Sequence, residues 1–267
     1  MNSIDRGAGD LVIDDVSQDF VARDRRVSAL QKTTLRIPPG EFVTLVGPSG
    51  CGKSTLLNLI SGLMAPSEGR VSFDGSIIRG TSRTIGYVTQ QDNLFPWRTL
   101  RDNVGLSLEL TGVPAKERRE RVDEWLARVG LDGFGDAYPH ELSGGMRQRG
   151  NIIRTLIYEP RVILMDEPFG ALDAQTRITL QEMLLSIWEG TGRTILFVTH
   201  DLTEAIALAD RVLLMSSRPG RILRDERVDI ARPRDIFLIH HHPEFRRLFD
   251  EFWQELRTEV QIAAKKR

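Results

Sequence analysis

"EFVTLVGPSGCGKSTLLNLIS", residues 41–61, decides the fold. Its first six residues are a short, almost wholly apolar run ended by glycine, as expected of a strand buried on both faces. Its closing segment, "KSTLLNLIS", reads as a helix. Between them Gly47, Gly52, Lys53 and Ser54 satisfy G-x-x-x-x-G-K-[ST] in strand–loop–helix order, the context in which this spacing holds a phosphate chain. Glycines permit backbone conformations and close approaches that a Cβ forbids. The loop Gly47, Pro48, Ser49, Gly50, Cys51, Gly52, Lys53, Ser54 and Thr55 can then surround phosphate oxygens with N–H groups, reinforced by the positive end of the helix dipole. Lys53 is the candidate to bridge β- and γ-phosphates, and the Ser54 hydroxyl the candidate to ligate Mg²⁺. If the empty loop leaves Cys51 accessible, alkylation should inhibit the site and nucleotide should protect it.

Outward from this stretch, strand-like runs fall at 33–37, 70–73, 85–88, 161–165, 194–198 and 211–215. Those at 41–46, 161–165 and 194–198 are nearly continuous apolar runs that alternate with helical patterns, which predicts an α/β fold around buried parallel strands. From about residue 98 to 160 the strand signal vanishes. "PAKERRERVDEWLARVG" places Val122, Trp125, Leu126 and Val129 on one helical stripe, and its mixed-sign "KERRER" reads as a solvated face. The last strong pattern, "PEFRRLFDEFWQELRTEV", puts Phe245, Leu248, Phe249, Phe252, Trp253 and Leu256 on an amphipathic helix, read as packing onto its own chain.

Two more buried runs end in polar residues. "RVILMDEP" (161–168) closes with Asp166 and Glu167, whose side chains are expected to point to opposite faces of the strand. Asp166 is the candidate to hold Mg²⁺ through its water shell, and Glu167 the candidate to orient and polarise an attacking water. "TILFVTHD" (194–201) ends in His200, well placed to contact a γ-phosphate.

Composition narrows the class. The 267 residues carry 36 Lys and Arg against 37 Asp and Glu, a net charge of −1, so the strong basic excess of a dedicated nucleic-acid binder is missing. A single cysteine precludes an intrachain disulfide and suggests a reducing compartment. "MNSIDRGAGD" at the start offers no apolar signal core, and runs such as "VILM" fall far short of the ~20 residues a bilayer requires. The expectation is a soluble intracellular protein, held at any membrane by something else.

One segment is left over. "LSGGMRQRG", residues 142–150, is a second glycine-rich helix start, and its residues alone show only another turn able to receive an anion. With "GPSGCGKST", Gln90 in "GYVTQQ", "RVILMDEP", "GALD" (170–173) and His200, it makes the chain resemble the ATP-binding subunits of ABC transporters along nearly its whole length. The resemblance implies an α/β P-loop NTPase core with a mostly parallel sheet, an N-terminal antiparallel β subdomain and an inserted helical subdomain. It assigns 1–97 and 161–220 to the core with its β subdomain, 98–160 to the helical signature subdomain, and 221–267 to a C-terminal extension.

What the resemblance implies chemically is ATP hydrolysis with Mg²⁺. Lys53, Glu167 and His200 would be catalytic; Ser54, Gln90 and Asp166 would serve the metal; Phe20 would stack on adenine. Ser143, Gly144 and Gly145 of the signature would contact the γ-phosphate of ATP held by a second copy, and Asp173 would work across the seam of a head-to-tail homodimer. The pattern "LFPW" after Gln90, with "RPGRI" and "ARPRD" near 218–235, is similar to importers for nitrate, sulfonates, taurine, bicarbonate or thiamine-precursor pyrimidines. That implies a cytoplasmic ATPase, peripheral on the inner face of the membrane, with two permease subunits and, indirectly, an extracytoplasmic binding protein. Leu94, Phe95 and Trp97 are candidates to receive a permease coupling helix. The alternative is a soluble ABC ATPase acting on nucleic acid or the ribosome; one cassette, balanced charge and no long coiled coil argue against it, and no nucleic acid is expected. "GNIIRTLI" departs from the family's usual helix, and Gly150 and Asn151 predict weakened helix there. Consecutive side chains diverge, so "HHH" (240–242) is not expected to hold a metal.

Overall fold

A computed structural model describes residues 9–22 and 25–265; the polar residues 1–8, where no signal core is expected, lie outside the described residues. A six-stranded sheet has the order β10(Ile222–Arg227), β9(Arg211–Met215), β3(Phe42–Val46), β8(Thr194–Thr199), β7(Val162–Asp166), β6(Ile85–Val88), with β10 antiparallel and every other neighbouring pair parallel. All of β3 and β8 is buried, which is why their sequences carry no polar alternation.

Alternate residues of these strands enter two different cores. Phe42, Val46, Ile195 and Phe197 join α6(Ala174–Trp188), α7(Leu202–Leu208) and α8(Pro243–Lys265) on one face. Val43, Leu45, Leu196 and Val198 face α1(Lys53–Ile60) and a second sheet on the other. That second sheet is antiparallel, in the order β2(Arg25–Ile37), β1(Leu11–Ala22), β4(Glu68–Phe73), β5(Ser76–Ile77). β1 is broken by register shifts after Ile13, Val16 and Gln18, with Asp15 left-handed at φ 50°. The strand carries Phe20 close to the loop at 47–55.

Between β6 and β7 the described residues hold no strand. α2(Leu100–Val104), α3(Leu106–Leu110), α4(Ala115–Arg128) and α5(Gly144–Leu156) gather a third core, into which Val122, Leu126 and Val129 are buried. α5 serves two cores, since Ile152 and Leu156 face the parallel sheet while Ile153 faces the helices. It runs unbroken through Gly150 and Asn151. A Cβ at Gly150 would lie 2.6 Å from Leu100 Cδ1, so glycine there lets α2 and α5 approach closely. Leu94 is buried among these helices and cannot receive a partner; Phe95 is half-buried against Trp97, which is 71% exposed.

α8 packs on α7 through Phe245, Leu248, Phe252 and Leu256, whereas Trp253 of the same stripe faces outward against Phe249. Truncating the fully buried Phe252 to Ala should cost about 3–5 kcal/mol. His242 Nδ1 accepts the Glu244 N–H at 3.2 Å near the start of α8. No helix among the described residues is long and apolar enough to cross a membrane.

Candidate functional site

The loop after β3 is shaped by three glycines with separate reasons. A Cβ on Gly47 would stand 2.8 Å from the Met215 carbonyl, while Gly50 and Gly52 are left-handed at φ 75° and 111°. Gly52 then starts α1 without any side-chain cap, so the first N–H groups of that helix remain available to a ligand. The Lys53 ammonium donates to the carbonyls of Gly47 at 2.9 Å and Pro48 at 3.1 Å, and lies 4.0 Å from Glu167 Oε1.

Cys51 behaves differently from what an open loop implies. It is 1% exposed and its thiol packs among the apolar residues beneath the sheet. Burial pushes the thiol pKa up, with the nearby Lys53 charge opposing. A buried, protonated thiol is inert, which overturns the expectation that alkylation blocks the empty site. The Cys51 side chain is not available to a ligand in the loop.

Asp166 and Glu167 face different partners, but strand alternation is not the cause. β7 ends at Asp166, and Glu167 is left-handed at φ 46°. That conformation costs a non-glycine residue roughly 1–2 kcal/mol, and it is held by the Glu167 N–H bond to the Val198 carbonyl and by the Gly170 N–H on the Glu167 carbonyl. The turn delivers Glu167 Oε2 to 2.8 Å from His200 Nδ1, while Oε1 faces Lys53. Asp166 instead meets the Ser54 hydroxyl, and the Tyr87 hydroxyl stands 3.5 Å away. Burial pushes the Asp166 pKa up, opposed by the Ser54 hydrogen bond. Burial, then the Asp166 charge, push Tyr87 up too, so it stays a protonated donor.

Of these, Lys53, Ser54 and Glu167 border an open cleft of about 300 Å³, near the lower end for ligand sites. Phe20 and Ala29 of the antiparallel sheet line it with residues 49–50, 52–55, Glu167 and Arg218. Phe20 is 36% exposed, so its ring is a cleft wall and not a core residue.

His200 follows β8 and is itself exposed. The next residue, Asp201, caps α7 by accepting the Thr203 and Glu204 N–H groups, and receives Arg177 Nη1 at 3.1 Å. Arg177 Nη2 also donates to the Leu172 carbonyl at 3.1 Å, tying the 170–173 loop to the histidine's strand end. Beneath them Glu204 is 5% exposed and accepts Gln181 Nε2 at 2.9 Å. Burial pushes its carboxyl up to about 7, with Asp201 adding to the rise and Thr199, Gln181 and Arg177 opposing it.

Gln90 and the signature residues do not line this cleft. Gln90 is exposed just beyond β6, and its loop is pinned to α5 by Asn151 on the Thr89 carbonyl and by Arg154 on the carbonyls of Asp92 and Asn93. Ser143 caps α5 by accepting the Met146 N–H at 3.3 Å. Ser143 and Gly144 are exposed; Gly145 packs so tightly that a Cβ would lie 2.7 Å from Thr176 Cγ2 on α6. Asp173 caps α6 through the Thr176 N–H at 3.0 Å. The signature and the Asp173 end of the 170–173 loop form one exposed patch of two capped helix starts outside the cleft lining, while Gly170 at the other end of that loop packs beside Glu167 and His200. Motif reading gives no site role to Tyr87, Arg177, Asp201, Asn151, Arg154 or Arg218, although all but Arg177 fall within the quoted segments; their position in space marks them.

Comparison with known proteins fits this geometry. The ABC transporter family matches residues 30–170. A taurine import ATP-binding protein of Rhizobium johnstonii is 46% identical over 90% of this chain and 94% of its own length. A nitrate import ATP-binding protein of Synechocystis sp. is 44% identical over 92% of this chain and 95% of its own. A dimeric ATP-binding cassette solved in a post-hydrolysis state with ADP and Pi superposes with a TM-score of 0.75 and 34% identity, over 83% of this chain and all of that one.

Proposed function

We infer the role of this chain from one premise: it belongs to the ABC transporter family, and within that family it is an ATPase that energises import. The solute is a small anion or polar molecule of the taurine, sulfonate or nitrate kind, the class served by the relatives. Residues 98–160 form its helical signature subdomain, and the protein works on the inner face of the membrane with two permease subunits, fed by an extracytoplasmic binding protein. Phe95 and the exposed Trp97 receive the permease.

The observation that carries the reading is the separation of two half-sites on one chain. Lys53, Ser54 and Glu167 line the cleft, with His200 on Glu167 and Asp166 on Ser54 beside it, while Ser143, Gly144 and Asp173 stand on an exposed patch outside it. Two copies arranged head to tail bring each patch over the other's cleft, so two ATPs are enclosed by a symmetric pair. ATP thereby joins two positive helix ends, and its hydrolysis lets them part.

Chemically, Lys53 exchanges its loop carbonyls for phosphate oxygens when ATP binds. Glu167 holds the attacking water and draws on its proton, and His200, hydrogen-bonded to that carboxylate, keeps it aimed while contacting the γ-phosphate. Phe20 stacks on the base. Ser54 and Asp166, a hydroxyl and a carboxylate already in contact, suit Mg²⁺, which takes few protein oxygens beside water and phosphate; Gln90, which does not line the cleft, would join them only by moving inward. When bound, the ion neutralises charge building on the β- and γ-oxygens.

The test is to purify the tagged protein from solubilised native membranes. A stoichiometric membrane-spanning partner, lost when Trp97 is replaced by Ala, supports the importer reading. A chain that stays soluble and alone would remove the transport claim and leave the ATPase assignment standing.

A further inference from the structure

We propose that Arg218 is a nucleotide-binding residue of this chain, reaching the ribose and α-phosphate end of ATP from residues 216–221. The inference rests on the cleft being the nucleotide site. Arg218 and Lys53 are the only cations among the described residues that line it. Lys53 lies beside Glu167, where the γ-phosphate is cleaved. Arg218 stands at the Phe20 wall: its Nε donates to the Ser28 carbonyl at 3.3 Å, Ser28 pairs with Asp19, and Phe20 follows Asp19. The nucleotide's base and sugar belong at that wall, and a guanidinium offers them a planar set of donors suited to phosphate or hydroxyl oxygens.

The segment that carries Arg218 is fixed from three directions. Gly220 exchanges backbone bonds with the antiparallel sheet, its N–H on the Ala29 carbonyl and its carbonyl on the Gln31 N–H, both at 2.9 Å. A Cβ on Gly220 would collide with the Cys51 carbonyl, so the segment touches the phosphate loop itself. From the far side, Glu259 of α8 accepts the Ser217 N–H at 2.7 Å. Within the turn, Ser216 Oγ donates to the carbonyls of Ser217 and Pro219 and accepts the Arg221 N–H at 3.0 Å. The C-terminal helix thus positions a wall of the nucleotide site.

The experiment titrates the full-length protein with ATP and with ADP, in wild type, Arg218→Ala, Arg218→Lys and Glu259→Ala. Arg218→Ala should raise Kd for both nucleotides by the same ~5–20-fold, with the loss falling on KM more than on kcat. Its Kd should also depend less on salt, because an ionic contact is gone. Lysine should recover part of the affinity, and Glu259→Ala should cost less than Arg218→Ala. A Kd within about twofold of wild type, a loss confined to ATP, or a larger loss from Glu259→Ala would each overturn the proposal. Wild type that binds neither nucleotide would sink the nucleotide reading of the cleft itself, which is a different failure.

Discussion

Helix α1 begins at Lys53 behind a left-handed Gly52, with no side chain capping it, whereas α5 begins at Gly144 behind Ser143, whose hydroxyl accepts the Met146 N–H. Both ends attract an anion. Around the first stand a buried lysine, two carboxylates and a histidine. Around the second stand Leu172, Thr176 and the Arg147 guanidinium, with the carboxylate of Asp173 capping the neighbouring helix. A phosphate at α5 would find positive charge but no lysine, and the one carboxylate there is committed to capping α6, so α5 can complete a reaction site without constituting one. The glycines make the same point, since those at 47, 50 and 52 shape a concave loop and Gly145 seats one helix against another.

The largest effect should come from removing the base of the first site. Glu167→Gln is expected to cut turnover about 10²–10⁴-fold while ATP binding survives, leaving a trapped dimer visible by size-exclusion chromatography with ATP. Near-normal turnover would show that the carboxylate beside His200 is not the group that handles the water. On the second site, Ser143→Arg should leave nucleotide binding to the isolated chain within about twofold, because Ser143 lies outside its own cleft; turnover, which needs the dimer, should fall at least about tenfold. Weakened nucleotide binding by the monomer would place the signature inside its own cleft.

Stability gives a further contrast. Glu204, beneath the histidine's strand end, has its pKa raised from the ordinary 4.5 to about 7, so the folded chain holds a proton that the unfolded chain has lost. Stability therefore falls as pH rises through that window, by at most about 3 kcal/mol. Glu204→Gln should remove this slope, with urea unfolding showing a gain of about 1–3 kcal/mol at pH 8 and little change at pH 5. A gain equal at both pH values would mean the carboxyl is not titrating. Within α5, Gly150→Ala should destabilise by about 1–2 kcal/mol, although alanine is the better helix former, because Leu100 occupies the space. The smallest effect concerns Cys51, whose alkylation should be slow with or without ATP; marked protection by ATP would contradict its burial.

The parallel sheet was legible because strands buried on both faces must be apolar throughout, and the 47–55 loop because its chemistry sits in nine consecutive residues. β1 was not, since "IDDV" interrupts the alternation where Asp15 turns left-handed and the register shifts. Asn151 looked like a weak helix former, yet it reaches across to the carbonyl of Thr89, 62 residues away. Arg218 and Ser28 are 190 residues apart, and no spacing rule spans that distance. Glu167 faces Lys53 and His200 for a reason invisible in "DEP": its backbone leaves the strand, and an intrinsic preference for extended chain yields to the bonds around it. Local patterns were readable where the chemistry is local; where it depends on two distant segments meeting, the residues gave no sign.

The central claim is that α5 serves the cleft of another copy. The direct measurement mixes Lys53→Ala protein, which lacks a working cleft, with Ser143→Arg protein, which lacks a working signature. Each variant alone should be nearly inactive. Random pairing makes half the dimers mixed, and each mixed dimer pairs the intact cleft of one chain with the intact signature of the other, so an equal mixture should recover about a quarter of wild-type ATPase activity. Activity no higher than the average of the two variants would contradict the account, because it would mean that each chain uses its own second helix start.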